Sequence, residues 1–249
     1  MDARHRLSRR SLLKAGAIGV SLPSLLGPAA AGGADGNSVR RGVQVRTGDG
    51  AFDGFCSRLQ DTVWSNRSVH SIRGKRVVLC PTWIRDHVHT LKGFKYLEED
   101  LTSGLDLFLT RQHDEGFFYE ILTDIDDPHT GYVKDRHVVR NEEDGVAYIR
   151  LELEADIEYL MTEGVHAAWQ ATGRDGWMKR RLPALERGLE YMMSHPTRWS
   201  QEYGLVKRPV TIDTWDFAWG QSTHDRRINP DTPMAIMHGD NTGLYRACR

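Results

Sequence analysis

The sequence predicts a mainly α fold in which helical hairpins repeat, and three observations support this class. After residue 50, apolar residues recur every three to four positions through most of the chain, which is the spacing of amphipathic helices. A glycine-containing turn at residues 172–176 joins two such segments into a helical hairpin. No run is long enough to be a convincing strand. Repeated hairpins would form a toroid or a solenoid, and no motif recurs at a fixed period to favour the solenoid.

Five helices are predicted before residue 200 from the positions of their apolar stripes. They cover residues 51–64, 88–101, 105–112, 151–171 and 177–194. Pro183 must lie near the first turns of the last of these or kink it. Residues 77–79 are expected to form an extended lead-in to Pro81 rather than a full strand. A further helix is expected to begin near Met237 and to be cut short at the end of the chain.

The N-terminus carries an export signature. Arg9 and Arg10, in the context SRRSLLK, resemble the twin-arginine translocation box, and small residues at 29–31 offer a cleavage site. The apolar segment between them is too short and too interrupted to be a stable membrane span. We expect residues 1–31 to be a signal peptide that the twin-arginine translocon recognises, and residues 32–50 to be a linker. The mature protein would be periplasmic or extracellular, without a stable membrane anchor.

The composition is globular and gives no reason to expect a nucleic-acid partner. The 249 residues contain 39% hydrophobic residues and carry a formal net charge of -1, whereas nucleic-acid-binding domains are usually basic. The three cysteines have no metal-ligand spacing, and at most one pair can close within the chain. They are Cys56, Cys80 and Cys248, of which Cys56 and Cys80 are the possible pair.

Two sequence patterns resemble metal-binding motifs, but each lacks a feature that the motif requires. Asp124, Asp126 and Asp127 resemble the start of a calcium loop, but the later glutamate and the central glycine are missing. His87 and His89 resemble the metal-binding pair of amidohydrolases, but they enter a helix instead of ending a barrel strand. We therefore expect no metal and no other cofactor.

Residues 211–220 combine two carboxylates and two indoles. These are Asp213, Trp215, Asp216 and Trp219. A surface loop rarely carries so much aromatic area, and a closed core rarely carries unpaired carboxylates. The mixture suits the wall of a sugar-binding cleft, where indoles stack on the ring while carboxylates bind hydroxyls or transfer a proton. A buried tryptophan pair with capping aspartates accounts for the stretch equally well.

A second acidic group opens the helix predicted at residues 151–171. It consists of Glu152, Glu154, Asp156 and Glu158. Negative charge near a helix N-terminus is favourable in itself, so the group is also consistent with a well-charged first turn. Its carboxylates lie on more than one helix face, however, which a capping role does not require.

Four segments together resemble the six-hairpin glycosidases. They are WIRDH at 83–87, QHDEG at 112–116, EADIEYL at 154–160 and DTWD at 213–216. The resemblance covers most of the chain from about residue 75 onward, and it implies an (α/α)6 toroid. It also implies a glycoside hydrolase that cleaves an oligo- or polysaccharide. Residues 51–249 would then be the N-terminal part of the catalytic domain.

The resemblance also implies roles for particular residues. Binding in the central subsite falls to Trp83, Arg85 and Asp86. Many members invert the anomeric configuration with a general acid and a base separated by roughly 6.5–9.5 Å. We expect Asp216 to be the acid, because the neighbouring indoles favour its protonated form. The other candidate catalytic residues are Asp213 and Glu154, and the other candidate sugar-binding residues are Asp156, Trp215, Trp219, His238 and Asp240.

The chain departs from the pattern in its length, since a toroid needs twelve helices. We therefore expect a truncated chain that lacks the closing half of the barrel and the general base. A polysaccharide lyase on a related toroid is an alternative, but it should present a tyrosine or histidine base beside basic residues, and residues 211–220 are acidic. A non-catalytic exported sugar-binding protein fits the tryptophan content as well as a hydrolase does. A sugar phosphorylase would need a phosphate pocket that the sequence does not identify.

Overall fold

The fold mixes helices with short antiparallel sheets. The computed structural model describes residues 43–128, 130, 133, 135–210 and 228–249. Within these residues, six helices accompany nine short strands in four small sheets. The predicted mainly α class, a partial (α/α)6 toroid of helical hairpins, is therefore wrong. Strands of two to five residues complete too few alternations to be recognised as strands from the sequence.

The helices follow the predicted apolar stripes, with altered limits. They are α1 (Gly50–Ser65), α2 (Ile84–Phe94), α3 (Ser103–Leu109), α4 (Ile157–Thr172), α5 (Asp175–Ser194) and α6 (His238–Ala247). The predictions of α1 and of the hairpin between α4 and α5 are confirmed. Gly173 ends α4 in the left-handed conformation, with φ at 65°, which makes the sharp turn of this hairpin possible. Pro183 lies inside α5.

Nine strands pair locally. They are β1 (Ser68–Ile72), β2 (Lys75–Leu79), β3 (Ile121–Asp124), β4 (Val138–Asn141), β5 (Val146–Ile149), β6 (Trp199–Ser200), β7 (Leu205–Val206), β8 (Arg208–Pro209) and β9 (Met234–Ala235). β1 and β2 form a hairpin, so residues 77–79 belong to a strand and the expected lead-in is wrong. β3, β5 and β4 form a three-stranded sheet in that order.

The largest departure from the predicted helices lies before α4. That helix was expected to begin at residue 151, but it begins at Ile157. Residues 151–156 instead form an irregular connection between β5 and α4 that includes a turn at residues 152–153, and every one of them is buried. Connections are normally exposed, so a buried connection with this many charges is unusual.

The entrance of α2 is attached to β3, and this attachment positions Arg85. The amide of Ile84 donates to the carbonyl of Glu120 at 2.8 Å, and the amide of Leu122 donates to the carbonyl of Thr82 at 3.1 Å. Trp83 also forms a β-bridge with Ile121. The first turn of α2 therefore lies against the sheet from which the buried connection leaves.

One hydrophobic core joins these elements. α2 and α4 approach so closely that a Cβ on Gly164 would lie 2.7 Å from Cγ2 of Val88. All described residues belong to one compact unit, Asn37–Arg249. The three cysteines are free, so the possible disulfide between Cys56 and Cys80 is not formed. Among the described residues, we find no helix with the length and apolarity needed to cross a membrane.

Candidate functional site

The connection before α4 places a charged residue at every second position in the interior of the protein. We call residues 150–158 the charged segment; its charged members are Arg150, Glu152, Glu154, Asp156 and Glu158. Each of the five is at most 9% exposed. The intervening residues are also buried, because they pack into the hydrophobic clusters on the opposite face. Buried charges need partners, and these come from distant parts of the chain.

Arg85 provides the first partner. Its Nε donates to Oδ2 of Asp156 at 2.8 Å and its Nη2 donates to Oδ1 at 2.7 Å, while Nη2 also contacts Oε2 of Glu154. Burial opposes the charge of Arg85, but the hydrogen bonds and charge of Asp156 outweigh it and raise the pKa of Arg85. Burial likewise opposes ionisation of Asp156, yet the bonds from Arg85 hold its pKa below the usual value.

Arg150 and Glu120 lie deeper. Nη2 of Arg150 donates to the carbonyl of Glu154 at 2.7 Å and pairs with Oε2 of Glu158 at 3.2 Å. Nη1 of Arg150 lies 3.9 Å from Oε1 of Glu120, which accepts from the amide of Leu151 at 2.6 Å. Burial raises the pKa of Glu120 to about 7, and the charges of Arg150 and Arg85 offset part of this effect. The interior of the cluster therefore holds a carboxyl group that titrates near neutral pH.

Arg208 connects the charged segment to α6. Its Nη2 lies 3.7 Å from Oε2 of Glu154, and its Nη1 lies 3.9 Å from Oδ1 of Asp240. Asp240 is 4% exposed, and its Oδ2 has no hydrogen-bond partner within the described part of the chain. Burial raises the pKa of Asp240, with Arg208 opposing and Asp156 reinforcing the shift. Burial, together with the charges of Asp156 and Asp240, also raises the pKa of Tyr159.

Three side chains of the cluster remain partly exposed to solvent. Arg85 keeps 25% of its side-chain surface, Arg208 14% and Asp156 13%, whereas Glu154 keeps 1%. Trp83 is half-buried and packs beside Ile121 and its neighbours. A polar ligand at this opening would meet a guanidinium and a carboxylate together. Such a pair binds vicinal hydroxyls through charge-assisted hydrogen bonds.

The structure brings together four of the residues that the sequence singled out. Arg85, Glu154, Asp156 and Asp240 belong to the cluster. Trp83 precedes α2 at its entrance, while Asp86 and His238 are exposed. Asp213, Trp215, Asp216 and Trp219 lie outside the described residues, so their assigned roles remain predictions.

Sequence reasoning missed four members of the cluster, which are Glu120, Arg150, Arg198 and Arg208. Glu120 stands alone in the apolar run Phe-Phe-Tyr-Glu-Ile-Leu at residues 117–122, and a single charge in such a run indicates a buried, partnered group. Arg208 and Arg198 flank a short hairpin and have no motif around them. Only the folded chain brings these two arginines to the charged segment.

The histidine pair has a structural role. His87 is buried, and its Nδ1 accepts a hydrogen bond from the amide of Cys80 at 3.0 Å, whereas His89 is exposed. Burial lowers the pKa of His87 to about 4. In the part of the chain that the structure describes, His, Cys, Asp and Glu side chains form no group of three or more that could hold a metal ion.

Comparison with known proteins gave no relatives. A scan of family models, a search of curated proteins and a search of solved structures each found no match. A functional proposal therefore depends on the geometry and charges of the chain itself.

Proposed function

We propose that the protein is a glycoside hydrolase, or part of one, with its site at the cluster of Arg85, Glu154, Asp156, Arg208 and Asp240. The observation that carries the proposal is that two buried aspartates of this cluster have different partners: Asp156 accepts two hydrogen bonds from Arg85, whereas Oδ2 of Asp240 has no hydrogen-bond partner among the described residues. The pKa of Asp156 is lowered and that of Asp240 is raised. Two carboxyl groups with diverging pKa values are what acid and base roles in one site require.

Asp240 and Asp156 have different roles in the proposed reaction. Asp240 holds a proton more readily and donates it to the glycosidic oxygen as the bond to the anomeric carbon breaks. Asp156, whose pKa Arg85 lowers, stays ionised, so it accepts hydrogen bonds from sugar hydroxyls and balances the positive charge that develops on the ring. Trp83 offers an apolar face at the same opening. Asp240 takes the place of the acid predicted from the sequence, Asp216 or its rival Asp213, and the base that activates water has no assigned residue.

A lyase is the less supported alternative. Arg85 and Arg208 could neutralise a uronate, and Tyr159 lies within the same electrostatic environment. The pKa of Tyr159 is raised, however, which makes its phenolate a poorly populated base. Arg85 also already pairs with the carboxylates of Asp156 and Glu154. A hydrolase therefore uses the cluster better than a lyase does.

The proposal is tested by hydrolysis assays on a panel of oligo- and polysaccharides with the wild-type chain and Asp240→Asn. The amide keeps the shape of the side chain but cannot donate an acidic proton, so we expect a rate loss of about 100-fold or more. Asp231→Asn, at an exposed position, is the matched control and should retain activity. Sugar binding without hydrolysis by the wild type would instead identify a non-catalytic sugar-binding protein.

Export belongs to the same proposal. The twin arginines at Arg9 and Arg10 support passage through the twin-arginine translocon to the periplasm or the medium. The N-terminal 31 residues fused to a reporter should direct it out of the bacterial cytoplasm. Replacement of both arginines by lysine should retain the reporter inside, and unchanged export of that variant would refute the signal.

A further inference from the structure

Arg198 is a fully buried guanidinium with two donor nitrogens that are not used within the described part of the chain. It is 0% exposed, and its Nη2 donates to the backbone carbonyl of Glu152. The two unused donors are its Nε and Nη1. By contrast, Arg85, Arg150 and Arg208 each face at least one carboxylate. A buried guanidinium is costly unless it is paired, so Arg198 calls for an anion.

Two further unpartnered atoms belong to the same neighbourhood. Nε of Arg208 and Oδ2 of Asp240 are buried and without hydrogen-bond partners among the described residues. The amide of Lys207 donates to the carbonyl of Arg198 at 2.7 Å, which places Arg208 one residue from the point where the two chain segments pair. Both arginines act electrostatically on Asp240. The neighbourhood therefore offers three unused donors and one unused oxygen.

We propose that Arg198 and Arg208 bind an oxyanion while Asp240 contacts a hydroxyl beside it, so that the sugar recognised by this site is an acidic one. The carboxylate of a uronic acid accepts hydrogen bonds from guanidinium groups, and its vicinal hydroxyls reach the aspartate. Inorganic phosphate offers the same chemistry, because it accepts through several oxygens and can donate through one. A neutral sugar would leave the unused donors of Arg198 without a charged partner. This inference rests on the proposed function for its sugar and on Arg198 for its charge.

The burial of Arg198 also indicates how selective the site would be. Arg198 is 0% exposed, so an oxyanion bound to it would lose its water. Charge pairs are stronger away from water. Discrimination between a charged and a neutral sugar should therefore be large.

Calorimetric titration of the full chain with glucuronate, glucose and inorganic phosphate tests the inference. We expect glucuronate to bind at least tenfold more tightly than glucose. Arg198→Met should reduce glucuronate binding to the level of glucose, and Arg198→Lys should give an intermediate value because it keeps the charge but loses the planar fork. Arg246→Met is the matched control, since Arg246 is 70% exposed on the surface of α6, and it should bind as the wild type does.

The outcomes separate the two proposals. Equal wild-type affinity for glucuronate and glucose, with no phosphate binding, overturns the oxyanion site without any variant having to fold. Binding of phosphate that depends on Arg198 supports the site and assigns the anion to phosphate. Glucuronate binding without hydrolysis of any saccharide keeps the oxyanion site and overturns the hydrolase. Hydrolysis of neutral saccharides by a chain that binds neither glucuronate nor phosphate keeps the hydrolase and overturns the oxyanion site.

Discussion

The guanidinium of Arg85 binds the carboxylate of Asp156 through two parallel hydrogen bonds, from Nε to Oδ2 at 2.8 Å and from Nη2 to Oδ1 at 2.7 Å. The pair joins the first turn of α2 to the end of the buried connection before α4, across 71 positions of sequence. A planar fork on a planar carboxylate fixes both orientation and distance. The same contact therefore stabilises the fold and shapes the opening of the cluster.

Arg85→Lys should weaken this connection although it keeps the charge. An ammonium group cannot form the two parallel bonds, and Asp156 would lose part of its stabilisation. We expect the free energy of unfolding to fall by about 1–3 kcal/mol, measured by urea denaturation. The exposed pair of Arg246 and Glu163 is the control, because Arg246→Lys should change stability by less than about 0.5 kcal/mol. Equal effects of the two substitutions would contradict the importance of the fork.

His87 should make the protein sensitive to acid. Its pKa is lowered to about 4 by burial, whereas an unfolded histidine titrates near 6.5. The unfolded chain therefore binds more protons in between, so stability should be fully present above pH 6.5 and lost as the pH falls towards 4. The loss amounts to about 3 kcal/mol. His87→Asn keeps an acceptor for the amide of Cys80. This variant should show a weaker dependence of the free energy of unfolding on pH in this window. The control is His166→Asn at an exposed position, which should leave that dependence as in the wild type.

Glu120 should change the free energy of unfolding with pH in the opposite direction to His87. Its pKa is raised from 4.5 to about 7, so the folded chain binds the extra proton between these values. The contribution of this carboxyl group to stability is present below pH 4.5 and declines as the pH rises towards 7. Glu120→Gln keeps the acceptor for the amide of Leu151 and should remove that decline. The free energy of unfolding is measured in urea at several pH values for the wild type and for Glu120→Gln. The same pH dependence in both proteins would show that the proton binds to another group.

Gly164→Ala should destabilise the packing of α2 on α4. The new Cβ would lie 2.7 Å from Cγ2 of Val88 and 3.0 Å from Cδ2 of Leu105, so the helices would have to separate. We expect a loss of about 1–3 kcal/mol in the free energy of unfolding. Gly93→Ala in α2 is the matched control, because its Cβ would meet nothing within 4 Å and a helical alanine is favoured over glycine. A neutral Gly164→Ala would show that this approach is not tight.

The helices were predictable from the sequence because their apolar stripes are local. Phe52, Phe55 and Leu59 indicated α1 correctly, although all three side chains are about half exposed. The architecture was not predictable, since strands such as β6 and β8 have two residues and are defined by their pairing with β7 and β9 rather than by a local sequence pattern. The early start expected for α4 failed for another reason. Residues 151–156 were assigned to the helix, but they are buried in an irregular conformation, in which Leu151 and Glu152 form hydrogen bonds with the distant side chains of Glu120 and Arg198.

The site was predictable only where a motif pointed to it. Arg85, Glu154 and Asp156 were singled out by their local patterns, and the fold brings them into contact. Arg198 and Arg208 carry no such pattern, because their importance comes from contacts with distant residues: Arg198 binds the carbonyl of Glu152, and Arg208 lies near the carboxylates of Glu154 and Asp240. Long-range electrostatic partners of this kind cannot be recognised from spacing along the chain.

The most direct test of the account is a carbon-detected NMR titration of the aspartate carboxyl groups, with Asp240→Asn and Asp156→Asn used for assignment. The account predicts that Asp240 titrates above the ordinary aspartate value and Asp156 below it, because burial dominates at the first and Arg85 at the second. Ordinary titration of both groups at the same pH would contradict the division into proton donor and ionised partner, and with it the general-acid role proposed for Asp240.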